Sequence, residues 1–303
     1  MPKKIMFDDA PILVTGAEGF TGKYVCMELL KRGILFKASI KPKKSKKWFI
    51  DRKIEVIETD IYKKEDLLKS LKGCKGLINI ASIGFGAAPI IIESCLEIKL
   101  KRVIFLSSTS IFTSLNAKSK FIRLKAEKSI LKSNLDWTIL RPTMIYGSEN
   151  DRNMIKLIKY IDKFLVIPII GSGRYIQQPV YVKDLAWSIV EAFNSQNTFH
   201  KKINISGGNS KTFNEVIDII SSKLGKKILK IYFPKFPIVF FMKLLENFLN
   251  LRLPIKAEQI ERLNEHKEFP HSIAKKLLKY SPVNFEEGIE IEIDNYKKNN
   301  ILL

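Results

Sequence analysis

The stretch TGAEGFTG, Thr15 to Gly22, constrains this chain more than any other. It separates an apolar run, PILVT at 11–15, from an amphipathic stretch, FTGKYVCMELLKRG, that closes on Gly33. Its glycines, Gly16, Gly19 and Gly22, recur three apart. A strand that turns sharply into a helix needs the first of them. The second bares the backbone to an approaching phosphate, and the third lets the helix lie close on a sheet. N–H groups at the helix start then face one point, which suits a pyrophosphate. A merely structural strand-to-helix turn is the alternative reading.

The chain beyond the glycines favours the ligand. LFKASIK, KIEVIE (53–58), GLINIAS (76–82), RVIFLSS (102–108) and DWTILRP (136–142) read as strands, and KEDLLKSLKG reads as a helix ending at Gly73. These runs are rich in Ile, Val and Leu on both parities, as strands covered on both faces are. The order is that of β-α-β units building a parallel sheet. We therefore expect an α/β fold, a Rossmann doubly wound parallel sheet over 8–206, with 148–179 contributing to the substrate side. A smaller, mostly helical C-terminal substrate lobe is expected over 207–303. Within it, PIVFFMKLLENFLNLRLP (237–254) is apolar but interrupted by Lys243, Glu246 and Arg252, too short and too charged to span a membrane. We read it as a core helix, with a peripheral membrane contact or a homodimer face as alternatives.

The net charge of +21 comes from 43 lysines against 9 arginines, spread along the whole chain rather than clustered on one element. That distribution argues for a solvated surface and against specific nucleic-acid recognition. Cys26, Cys74 and Cys95 show no C-x-x-C spacing, and His200, His266 and His271 lie in no ligand motif, so neither a disulfide framework nor a metal is expected. Asp8 and Asp9 break the N-terminal stretch, and we expect a cytoplasmic protein.

The motifs, in order, resemble the extended and atypical branches of the short-chain dehydrogenase/reductase family, the NAD-dependent epimerase/dehydratase group. TGxxGxxG is followed by TDI at 59–61, NIAS at 79–82, FLSSTSIF at 105–112, LRPTMIYG at 140–147 and PVYVKDLA at 179–186. The resemblance covers about residues 10–225 well and the tail loosely. It implies NAD(P) contacts at Thr15, Gly16, Glu18, Gly19, Phe20, Gly22, Lys41, Asp60, Ile61, Ala81, Lys125 and Pro142. It also implies an active-site serine at Ser108, for which a plain strand-end hydroxyl is the alternative.

One departure bears on chemistry. Active family members carry a tyrosine and, four residues later, a lysine that holds the nicotinamide ribose and lowers the tyrosine pKa. Here FIRLKAEKSI places Phe121 at the tyrosine position and Lys125 at the lysine position. Phenylalanine has no proton to give. Tyr146, Tyr175 and Tyr181 are candidate replacement donors. The family's Arg-Asp pair is replaced by Gln177 and Gln178, leaving Arg174 and Arg152 as candidates for an anionic group or as surface charges. No Asp or Glu stands between Gly33 and Ile50, where NAD-selective sites hold an acid, and Lys41, Lys43 and Lys44 stand there instead. NADP is therefore expected over NAD. Two functions are compatible with these residues: an epimerase, dehydratase or reductase acting on a sugar nucleotide or similar anionic metabolite, or a non-catalytic NAD(P)H-binding regulatory or accessory protein.

Overall fold

The computed structural model describes residues 10–151, 153–248 and 257–302. The first half runs β1 (Ile12–Thr15), α1 (Phe20–Lys31), β2 (Phe36–Ile40), α2 (Lys47–Ile50), β3 (Glu55–Glu58), α3 (Lys64–Leu71), β4 (Gly76–Asn79), α4 (Ala88–Glu97), β5 (Arg102–Leu106), α5 (Lys118–Leu131) and β6 (Asp136–Pro142). Then come β7 (Ile145–Tyr146), α6 (Met154–Lys163), β8 (Val166–Ile170), β9 (Ile176–Gln177), β10 (Val180–Tyr181), α7 (Val182–Asn194) and β11 (Lys201–Ile205). The tail adds β12 (Lys211–Thr212), α8 (Phe213–Lys223), β13 (Leu229–Phe233), α9 (Lys235–Phe248), α10 (Ala257–Leu263), α11 (Ser272–Leu278) and α12 (Phe285–Lys298).

Seven strands form one parallel sheet in the order β11-β6-β5-β4-β1-β2-β3. The fold class is the expected doubly wound α/β sheet. Its strand order reverses between β1 and β4, and in such sheets that switch point opens a crevice at the C-terminal strand ends. Side chains alternate across the sheet, so Ile12 and Val14 of β1 join a core with α1 and α7, while Leu13 joins one with α3, α4 and α5. A third core unites Ile158 of α6 and Ile167 of β8 with Ile217 of α8 and Ile289 of α12. The chain then returns: Ala274 and Leu278 of α11, with Tyr280, pack into the first core against the sheet.

Two elements lie where the sequence reading assigns none of its own, and one differs from expectation. APIIIESCLE carries a run of β-branched residues that suits strand or helix alike, and it forms α4, with Pro89 setting φ in its first turn. β13 lies within the mostly helical tail, held by parallel pairing to β8. The expected core helix at 237–254 is instead a surface helix over its described part: α9 buries Val239 but leaves Phe236 81% and Phe240 61% exposed. Residues 249–254, Arg252 among them, and Arg152 lie outside the described residues. Among the described residues no helix is long and apolar enough to cross a membrane.

Candidate functional site

Because the seven strands run in parallel, their C-terminal ends share one edge, and the residues singled out in the sequence fall along it in spatial order. Asp60 and Ile61 follow β3, Lys41 follows β2, the glycine loop follows β1, Ala81 follows β4, Ser108 follows β5, and Pro142 ends β6. At ~4.8 Å between neighbouring strands, these ends span about 24 Å, a length suited to an extended ligand.

At the centre, Thr15 Oγ1 donates to Asn79 Oδ1 (2.7 Å), and Asn79 Nδ2 donates to the Ala81 carbonyl (2.9 Å), tying β1 to β4 at the switch point. Gly16 has φ +69°, and a Cβ on it would stand 2.8 Å from Ala81 N. A Cβ on Gly22 would stand 2.2 Å from the Gly16 carbonyl oxygen, so the start of α1 lies directly on the loop. Gly19 differs, since its Cβ would meet only Gly16 O, at 3.2 Å, in an exposed position. It is the N-cap of α1, and neither a side-chain cap nor an acidic residue occupies the first turn. The loop thus presents bare N–H groups, with glycine's missing side chain on the open side, and a pyrophosphate fits there.

Along the β2–β3 side, Lys41, Lys43 and Lys44 are exposed. Two carboxylates approach the same strand ends. The Lys41 N–H donates to Glu18 Oε1 (3.4 Å), and Glu18 Oε2 is buried without a hydrogen-bond partner among the described residues. Glu58 accepts from Lys43 N (3.4 Å) and pairs with Lys46 Nζ (2.7 Å). Asp60 Oδ1 takes the Tyr62 N–H (3.0 Å), Ile61 packs into the second core, and Phe20 sets its ring edge-on to Tyr24.

Toward β5 and β6, the Ser108 hydroxyl accepts from Ser110 N (3.1 Å), capping a short 3-10 turn. Phe121 is 56% exposed on α5, and Lys125, one turn on, is exposed as well. α5 is anchored by contacts that the sequence reading does not anticipate. Glu127 is buried, takes the Ser107 hydroxyl at 2.6 Å, and pairs with Arg141 from the LRP motif. Arg141 in turn lies over the Phe112 ring (5.3 Å). Tyr146 and Tyr181, two of the three candidate proton donors, prove to be core residues of the third cluster, where burial raises both phenols. Tyr175 packs on His266 (5.2 Å).

A family model described as NAD(P)H-binding matches residues 16–164. The chain carries an NAD(P)-binding Rossmann domain. Its fold is shared with sugar-nucleotide enzymes: a Thermotoga maritima UDP-glucose 4-epimerase structure with UDP-glucose superposes with a TM-score of 0.76 at 17% identity, over 96% of this chain and 99% of that one. In sequence the chain is similar to a mitochondrial NADH dehydrogenase 1 alpha subcomplex subunit 9 of Arabidopsis thaliana, 29% identical over 157 residues, which are 50% of this chain. The match spans only 39% of the plant protein's length. An uncharacterized UDP-glucose epimerase of Bacillus subtilis is 24% identical over 71% of this chain and 83% of its own.

A strap that follows α10 crosses toward the β5 end of the sheet. Glu265, after α10, accepts from Thr113 Oγ1 (2.6 Å), Ser114 N (2.9 Å) and Ser114 Oγ (2.7 Å). Burial works to raise its carboxyl, but those donors prevail and hold it below the usual range. Gln177 Nε2 reaches the Glu265 carbonyl (3.5 Å), while Gln178 accepts from Phe269 N (2.9 Å) and donates to the Gly207 carbonyl (3.0 Å). The two glutamines thus hold the strap in place. Lys267, on the strap, is pushed down to about 8 by burial and by Arg262, with Glu265 opposing. Arg174 is exposed on its loop. Among the described residues no His, Cys, Asp and Glu side chains group closely enough to hold a metal ion.

Proposed function

We propose that this chain binds NADP(H) along the C-terminal strand edge and acts as a regulatory or accessory dinucleotide-binding protein without the tyrosine-dependent proton transfer of the family it resembles. Phe121 carries the reading: it occupies the tyrosine position beside an accessible Lys125, and Tyr146 and Tyr181 are locked in the core. The bound dinucleotide would supply hydride chemistry. The chain's own groups supply binding: the bare α1 N-terminus for the pyrophosphate, Asp60 for the adenine side, and Lys125 for the nicotinamide ribose. One relative is by name a subunit of an NADH dehydrogenase, which accords with an accessory role. The three free thiols suit a reducing compartment such as the cytoplasm.

A second reading, an epimerase, dehydratase or reductase of a sugar nucleotide or similar anion, draws on the third core of α6, β8, α8 and α12 beside the sheet and on Lys267, a depressed ammonium able to meet an anion or move a proton. Single-turnover measurements on bound cofactor across a panel of sugar nucleotides separate the two. The wild type is expected to leave the cofactor unchanged. Phe121→Tyr, with Lys125 one turn away, is expected to gain about 10²-fold over background, the lower end of general acid-base assistance. Wild-type turnover that disappears in Lys125→Ala would replace the accessory reading with the enzymatic one.

The cofactor preference rests on Lys41, Lys43 and Lys44, which outnumber the unpaired acid at that strand end, Glu58 being neutralised by Lys46. NADPH is expected to bind more tightly than NADH. Replacing the three lysines with serine should weaken NADPH roughly tenfold and NADH little, as exposed ionic contacts are individually weak. Glu18→Gln should shift affinity the other way, toward NADPH, because its carboxylate repels a 2′-phosphate. Calorimetry showing equal wild-type affinity for the two cofactors removes the preference.

A further inference from the structure

The Rossmann domain leaves unexplained a large exposed apolar surface among the described residues. β8 and β13 form a two-stranded parallel ribbon pairing Leu229 with Val166, Ile231 with Pro168 and Phe233 with Ile170. On one ribbon face Ile167 and Ile169 are buried and Tyr232 is half exposed, whereas Val166, Pro168, Leu229, Ile231 and Phe233 stand exposed. Alternation along a strand puts those residues together on the other face. The ribbon passes through Pro234 into α9, where Phe236, Phe240, Phe241 and Leu244 are exposed at helical spacing, and Phe236 stacks on Phe240 (6.4 Å between ring centres). A soluble monomer rarely leaves so many large apolar side chains side by side without a binding role.

The charge around this surface identifies what covers it. From 226 to 246 the chain carries Lys226, Lys227, Lys230, Lys235 and Lys243 against a single acid, Glu246. Lys226, Lys230 and Lys243 are tied to Asp162, Asp218 and Glu261, while Lys227 and Lys235 have no acidic partner among the described residues. Lys163 extends its ammonium over the exposed Phe164 ring (5.5 Å) beside the ribbon. Phenylalanines flanked by lysines, with no pattern of hydrogen-bonding groups among them, match the boundary between anionic headgroups and acyl chains. A second copy of the chain suits the face less well, because a two-fold contact would bring like-charged lysine flanks together.

We propose that the β8–β13 ribbon and α9 form a peripheral docking surface for an anionic lipid bilayer, with the aromatic rings of α9 entering the interface and the flanking lysines resting on headgroups. The geometry is that of a protein lying on a membrane.

Flotation of the full chain with vesicles tests this. The wild type is expected to rise with equimolar phosphatidylcholine/phosphatidylglycerol vesicles and to stay behind with phosphatidylcholine alone, and added salt should weaken the binding. The double variant Phe236→Glu, Phe240→Glu changes exposed side chains, so its fold and cofactor affinity should match the wild type while its partitioning falls roughly a hundredfold. Lys227→Ser with Lys235→Ser should give a smaller loss confined to the anionic vesicles. Wild type that ignores anionic vesicles, or a double variant that floats as well as wild type, overturns the proposal. So does a wild-type dimer, seen by sedimentation and abolished by the double variant, in which copies of the chain cover the face.

Discussion

Gly19→Asp is expected to abolish dinucleotide binding and to leave the thermal midpoint nearly unchanged. The position allows this separation. Gly19 has an ordinary extended φ of −73°, and an added Cβ meets only one backbone oxygen at 3.2 Å. The carboxylate would project where the N–H groups of α1 converge, and there it would obstruct and repel a pyrophosphate. Loss of affinity by two or more orders of magnitude is the expected calorimetric result. Gly22→Ala is the contrasting variant. Its Cβ would stand 2.2 Å from Gly16 O and 2.7 Å from Ala17 Cα, so α1 must be pushed off the loop, and stability should fall by about 1–3 kcal/mol as for other overpacked sites. If Gly19→Asp binds cofactor normally while folded, the site lies elsewhere.

The largest pH effect should come from Glu292. This α12 side chain is 1% exposed, accepts from the Tyr296 hydroxyl, and has an Oε2 that meets no donor among the described residues. Asp151, itself buried, lies within hydrogen-bonding reach, so one proton shared by the two carboxyls satisfies both. Tyr24 from α1, Tyr146 from β7 and Tyr181 from β10 also face the group, and burial keeps these phenols neutral. Burial pushes the Glu292 carboxyl up to about 8, with the Asp151 charge adding and the Tyr296 hydroxyl and Gly147 N–H opposing. The folded chain therefore holds a proton that the unfolded chain releases near the ordinary glutamate value of 4.5. The associated stability is complete below about 4.5 and is lost as pH rises through about 8, a change on the order of 5 kcal/mol. Glu292→Gln retains a donor toward Asp151 and an acceptor for Tyr296 without the titration. Urea midpoints across this range should fall with pH in the wild type and fall less in the variant. Asp184, raised by burial to about 6, contributes to both profiles and cancels in their difference. Parallel profiles for the two proteins would rule out the shared proton.

The parallel sheet and the glycine loop are legible in the sequence because both are written locally. Apolar runs on both parities mark strands covered on both faces, and three glycines between a strand and a helix mark a turn that tolerates no side chains at Gly16 and Gly22. Contacts joined across long stretches of chain are not legible. Glu265 reaches Ser114 across 151 residues, and nothing around either position announces the other. The Glu127–Arg141 pair joins two motifs that the sequence presents separately, and opposite charges on two predicted neighbours are the available signal. Tyr146 and Tyr181 cannot be told from cleft phenols by sequence, since burial depends on which helices fold over them. The same holds for α9: its composition suits a core, and only the exposure of Phe236 and Phe240 in the folded chain makes it a surface.

The return of the chain after the second lobe has a consequence for modularity. β11 occupies an edge of the central sheet, and α11 with Tyr280 covers that sheet late in the sequence, the Tyr280 hydroxyl donating to the Ser206 carbonyl at 3.0 Å. A gene fragment ending near residue 206 would encode a sheet with an uncovered oily flank, and a fragment beginning there would lack α6 and β8, which supply six of the fifteen buried residues of the third core. The two lobes are interleaved like clasped fingers. Neither fragment is therefore expected to fold as a separate cassette.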